Sequence, residues 1–66
     1  MSLVNWEQTY LDTHTCPFRK YRGDGWIQVI QLDRDYVRWL LENLEDMDEE
    51  LREALTWGVE YVPDRI

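Results

Sequence analysis

The sequence predicts a small single α+β domain: a short β-hairpin or extended N-terminal half packed on a C-terminal antiparallel helical hairpin. Three observations carry that prediction. From Tyr36 onward apolar residues recur at helical spacing, pause at an acidic stretch near Asp46, and resume to Val62. Residues 13–21 are rich in threonine and aromatics, and Pro17 restricts them to an edge strand or an extended segment. Between the two halves, Gly23-Asp24-Gly25 reads as a turn.

Taken in order, residues 2–12 place Leu3, Trp6, Tyr10 and Leu11 at spacings that fit an amphipathic helix. Residues 1–15 are therefore read as an N-terminal extension with a short helix, and residues 16–66 as the domain proper. Residues 26–32 read either as a strand returning from the glycine turn or as a short helical turn. Their apolar positions fit neither period well. A helix near residues 34–45 is the clearest element. Asp33 is its N-cap, and Asp35 adds a carboxylate to its first turn, where the helix dipole favours one. Tyr36, Val37, Leu40, Leu41 and Leu44 share one arc, with Arg38, Glu42 and Glu45 opposite and Trp39 at the edge.

The second helix opens on Asp46 and Glu49, which have the spacing of a capping box. Met47, Leu51, Ala54, Leu55, Gly58 and Val62 then form one stripe, so the helix is carried past Gly58 toward Tyr61 and ended by Pro63. A glycine inside a helix costs about 1 kcal/mol relative to alanine. Its missing side chain is expected to admit a close neighbour.

Sixty-six residues make one domain. A core of this size rarely supplies more than about 3–5 kcal/mol of net stability. Cys16 is the single cysteine, so four Trp, four Tyr and one Phe stand in for disulfides as reinforcement. Homodimer formation is a further way to bury them. A lone thiol, with no signal-like or membrane-length apolar run, leads to the expectation of a cytoplasmic protein, in the bacterial host cell if phage-encoded.

Charge is segregated along the chain. Residues 1–41 balance five bases against five acids, whereas residues 42–66 set nine acids against Arg52 and Arg65, which is the whole net charge of −7. Such a field repels nucleic acid at long range, where a typical binder shows a basic footprint. Against it stands the local turn Phe18-Arg19-Lys20-Tyr21-Arg22, whose cations could meet phosphates and whose rings could stack on bases. Burial of Phe18 and Tyr21 in so small a core is the competing expectation, and Tyr36 and Trp39 are expected in the core. His14 and Cys16 are too few for a structural zinc, which takes four ligands, and they lack an orienting third group for catalysis. The acidic residues at 46–50 are explained by capping. No cofactor, metal or catalytic residue is assigned.

These residues resemble the exodeoxyribonuclease X-like C-terminal domain family, a small domain that follows a nuclease domain and also occurs alone in short bacterial and phage proteins. The family pattern is similar to Pro-Phe-Gly-Lys-Tyr-Lys-Gly, a short apolar segment, Asp-Pro-x-Tyr-Leu-x-Trp-Leu-Leu, and a second helix. The matching residues here are Pro17, Phe18, Lys20, Tyr21, Arg22 and Gly23, then Val29, Asp33, Tyr36, Arg38, Trp39, Leu40 and Leu41. Leu51, Arg52, Ala54 and Leu55 echo the second helix. Arg19 departs from the family glycine, Arg34 from its proline, and Trp26 from a smaller aliphatic. The resemblance implies the company of nucleic-acid-processing machinery. The carboxylates of a two-metal nuclease would lie in a larger fold upstream of this segment.

The resulting expectation is a non-enzymatic interaction module that binds a basic protein partner through Glu42, Glu45, Asp46, Asp48, Glu49, Glu50 and Glu53; a phage-type inhibitor imitating the charge of DNA is its sharpest form. The alternative is a direct DNA- or RNA-binding accessory module using Phe18, Arg19, Lys20, Tyr21, Arg22 and Arg38.

Overall fold

The computed structural model describes residues 5–63. It overturns the α+β expectation. Among these residues the backbone forms four helices: α1 (Trp6–Thr13), α2 (Trp26–Leu32), α3 (Arg34–Asn43) and α4 (Glu49–Tyr61), with a 3-10 turn at Arg19–Tyr21 between α1 and α2. The expected hairpin survives only as an isolated antiparallel bridge between Thr15 and Gly25. Around it Cys16 N–H donates to the Asp24 carbonyl (2.8 Å), Gly23 N–H to Cys16 (3.0 Å) and Trp26 N–H to His14 (3.3 Å). The loop closes, but Trp26 starts a helix instead of a returning strand.

The reason lies in which side chains must be buried. Trp26, Val29 and Ile30 are all sealed in the core, and their spacing of three and four residues puts them on one helical face. As a strand, the segment would send Trp26 and Val29 to opposite faces. Leu32, about half exposed at 51 %, is the apolar residue that blurs the period. Gly23, at φ 90°, supplies the left-handed residue that reverses the chain before α2.

The helical hairpin forms as expected, with adjusted ends. Asp33 caps α3 by accepting from Tyr36 N–H (3.1 Å). Val37 and Leu40 are buried from α3, and Leu51, Ala54, Leu55 and Gly58 from α4, with Val62 sealed just past the end of α4. Helix α4 runs to Tyr61 but starts at Glu49 with Asp48 as its cap residue, and no side chain there makes a capping bond. The Asp46–Glu49 capping box therefore does not form; the stretch ahead of Asp48 is an irregular bend.

Helix α1 belongs to the same core. Asn5 caps it by accepting from Gln8 N–H (3.2 Å), and Leu11 is fully buried. Leu3 lies outside the described residues. Helix α1 packs chiefly on α4, and Gly58 is where they meet α2. A β-carbon there would lie 2.5 Å from Ile30 Cδ1 and 2.9 Å from Leu11 Cδ1. The missing side chain admits two neighbours from two helices.

Two arginines tie the hairpin together at both ends. Arg52 of α4 donates through Nη1 to the Leu41 carbonyl (2.8 Å) and through Nη2 to that of Leu44. Arg34, at the start of α3, donates to the Val59 (2.6 Å) and Val62 (2.5 Å) carbonyls at the end of α4. Each helix thus has orphan C-terminal carbonyls satisfied by a guanidinium from its antiparallel partner. The fork geometry of arginine suits two adjacent carbonyls, and positive charge there also favours the helix dipole.

Candidate functional site

The basic turn is largely occupied within the fold. Phe18 is half-buried and meets Trp26 edge-on, with ring centroids 6.2 Å apart. Tyr21 is also half-buried, and its hydroxyl donates to Asp33 Oδ2 (2.9 Å). The same oxygen accepts from Lys20 Nζ at 3.0 Å. Asp33 therefore caps α3 with one oxygen and anchors the turn with the other. This arrangement holds its carboxyl below the usual carboxylate range, through the Lys20 hydrogen bond first and the Tyr21 bond second. The same contacts raise Lys20 and the Tyr21 phenol, each chiefly through its bond to Asp33. Arg38 is exposed and paired with Asp35 at 3.5 Å. Arg19 and Arg22 are exposed and form no ion pair among the described residues.

Next to the turn lies a row of aromatic rings that the sequence assigned to the core. Tyr21 meets Tyr36 edge-on (5.4 Å), and Tyr36 lies nearly parallel to Trp39, at 6.4 Å and 11°. Lys20 Nζ stands 5.0 Å from the Tyr36 ring centre. Tyr36 is half-buried, whereas Trp39 is 54 % exposed. The expectation that Trp39 packs inside is thus corrected: the α3 arc is filled by Val37 and Leu40. The signal was present, because Trp39 already sat at the edge of that arc.

The acidic half presents the opposite picture. Glu42, Glu45, Asp46, Asp48, Glu49, Glu50 and Glu53 are all exposed, and among the described residues none forms an ion pair. They run from the last turn of α3 through the connection into the first turns of α4, at the far end of α3 from Asp33 and the basic turn. Arg52, the cation among them, is spent on the Leu41 and Leu44 carbonyls. The field reaches α1: the Tyr10 phenol is pushed up by burial first, then by Asp48 and Glu50. A shallow groove between α1 and α4 gathers four carboxylates, Glu7, Glu49, Glu53 and Glu60, around one cation, Arg52, beside Trp57 and Tyr61. Glu7 and Glu60 were not picked out from the sequence, since only packing brings α1 alongside α4.

His14 and Cys16 do not converge. The His14 ring stacks on Tyr10 at 3.9 Å, while Cys16 is buried and its thiol is pushed up by that burial. Among the described residues no group of three or more His, Cys, Asp or Glu is placed to hold a metal ion, and no helix is long and apolar enough to cross a membrane.

Comparison with known proteins places a segment of the chain beside an exonuclease. It is 46 % identical over 41 residues to exodeoxyribonuclease 10 of Escherichia coli strain K12, which covers 62 % of this chain and 19 % of that protein. The same enzyme from E. coli O6:H1 strain CFT073 matches to the same extent. The chain thus spans about a fifth of the length of these curated relatives. No family model matches the chain. No solved structure matches it either.

Proposed function

We propose that this protein is a non-catalytic interaction module of nucleic-acid metabolism that docks through its acidic half on the basic surface of a nucleic-acid-handling protein. The observation that carries the reading is the lack of internal compensation, among the described residues, at that end of the hairpin. Seven exposed carboxylates surround one cation, and the guanidinium of Arg52 faces backbone carbonyls instead of the carboxylates. Glu49 and Glu50 favour the α4 dipole. Glu42, Glu45, Asp46 and Glu53 lie outside its first turn and, among the described residues, are neither paired nor capping, whereas Asp33 is both. Similarity to a segment of an exodeoxyribonuclease supports the class of machinery, because surfaces that hold nucleic acid are basic. A complementary field would steer such a partner and fix its register.

The test is affinity capture from the native host, read by mass spectrometry, with the wild type and a Glu49→Gln/Glu50→Gln/Glu53→Gln variant. Glutamine is chosen over lysine because cations in the first turn of α4 would oppose its dipole and confound binding with stability. The reading predicts that the wild type retains a basic nucleic-acid-handling protein and that the variant loses it while keeping its helical circular dichroism. Equal capture by the folded variant would refute it.

A further inference from the structure

We infer that the Tyr36–Trp39 face of α3 is a stacking site for the unpaired bases of single-stranded nucleic acid, with Lys20 beside the Tyr36 ring to meet a phosphate. It is a second surface, independent of the acidic docking proposed above. The turn residues Phe18 and Tyr21 are poor stackers in this structure, because one packs on Trp26 and the other is tethered to Asp33. The accessible ring is Trp39, 54 % exposed and nearly parallel to Tyr36. Tyr36 is backed edge-on by Tyr21, which Asp33 holds in place, so the row is braced before any ligand arrives. Lys20 uses one donor on Asp33 and stands beside the Tyr36 ring with donors to spare.

Flat apolar faces with a cation alongside match an occupant with flat apolar bases on an anionic backbone. Every base has such a face, so the site would be tolerant of sequence. Asp33, paired with Lys20 at 3.0 Å, Asp35, paired with Arg38, and Glu42, one helical turn beyond Trp39, oppose it electrostatically. They lie within a Debye length of about 8–10 Å, so moderate salt leaves their repulsion largely in place. Binding is accordingly weak, and few phosphates are neutralised.

Fluorescence anisotropy of the full chain at low salt tests the site, with labelled thymidine and uridine homopolymers of about a dozen nucleotides and a blunt DNA duplex. Binding of either single strand above the duplex is expected, and the preferred sugar tells DNA from RNA. Loss of one stacked base in Trp39→Ala is expected to weaken binding roughly 5- to 160-fold. Because Trp39 is exposed, that variant keeps its fold by circular dichroism. Glu42→Gln is expected to tighten binding about twofold, in line with a weak surface charge effect, and the Glu49/Glu50/Glu53 glutamine variant to bind no worse than wild type. No binding by the wild type, a Trp39→Ala affinity unchanged from wild type, or equal competition by an acidic peptide would overturn the inference.

Discussion

Arg52 is the residue whose loss should cost the fold most for its degree of exposure. Its two donors satisfy the Leu41 and Leu44 carbonyls, which lack partners within α3. Replacement by methionine keeps the aliphatic stem and removes only the fork. A hydrogen bond to a charged group contributes about 1.5–3 kcal/mol when well buried. Arg52 is half-buried, so water recovers part of that at each carbonyl, and the pair together is expected to contribute about 2–3 kcal/mol. Against a net stability that rarely exceeds about 3–5 kcal/mol for a domain of this size, that is about two fifths of the total or more. Urea unfolding followed by helical circular dichroism measures it directly, and the thermal midpoint should fall by about 10–20 °C. Arg52→Lys, which can reach one carbonyl as a point charge, should fall between wild type and methionine. A methionine variant within about 0.5 kcal/mol of wild type, the range of ordinary surface substitutions, would refute the reasoning.

Three further outcomes follow from the same geometry. At Gly58, alanine gains about 1 kcal/mol of helix propensity. It also drives a methyl group against Ile30 and Leu11, both fully buried, and such overpacking costs about 1–3 kcal/mol. Urea unfolding should therefore find Gly58→Ala modestly destabilised and Gly58→Val unfolded, whereas a stabilised alanine variant would contradict the packing. Asp33 has its folded-state pKa depressed, so its stabilisation is present above the ordinary aspartate value and is lost as pH falls through the depressed one. The stability gap between wild type and Asp33→Ala, about 1–2 kcal/mol at neutral pH from the cap alone, should hold down to about pH 5 and narrow below about pH 4. A gap that widens on acidification would reverse that sign. Cys16, buried with its thiol pushed up, should react with a thiol reagent only as fast as the domain opens, and rapid labelling of the native protein would contradict its placement.

The hairpin of α3 and α4 was legible because its apolar stripes are long and its stops, Asp33 and Pro63, are chemically unambiguous. Gly58 was legible too, as a gap in a stripe. Helix α2 was legible only as one of two alternatives, a returning strand or a short helical turn, because Ile27 and Leu32 surround the informative triplet of Trp26, Val29 and Ile30 with apolar residues that are only partly buried or exposed. Threonine and aromatic content then argued for strand, although Pro17 and the glycine turn leave room for a single bridge. The forks made by Arg34 and Arg52 could not be read locally, since their partners lie 25 and 28 residues away for one, and 11 and 8 for the other. Once the helices are known to be antiparallel, an arginine near the start of each is the signal. Trp39 departs from expectation for a simpler reason: helical spacing beside leucines points it inward, whereas a chain of this size has too little interior for four tryptophans.

Salt dependence of the affinity for the captured partner, measured for the wild type and for the Glu49/Glu50/Glu53 glutamine variant, addresses the proposed docking most directly. Docking of the acidic half on a basic surface predicts wild-type affinity that drops steeply as sodium chloride rises, and a variant that is weaker at low salt and shallower in slope. Identical affinities and slopes for the two proteins would contradict it.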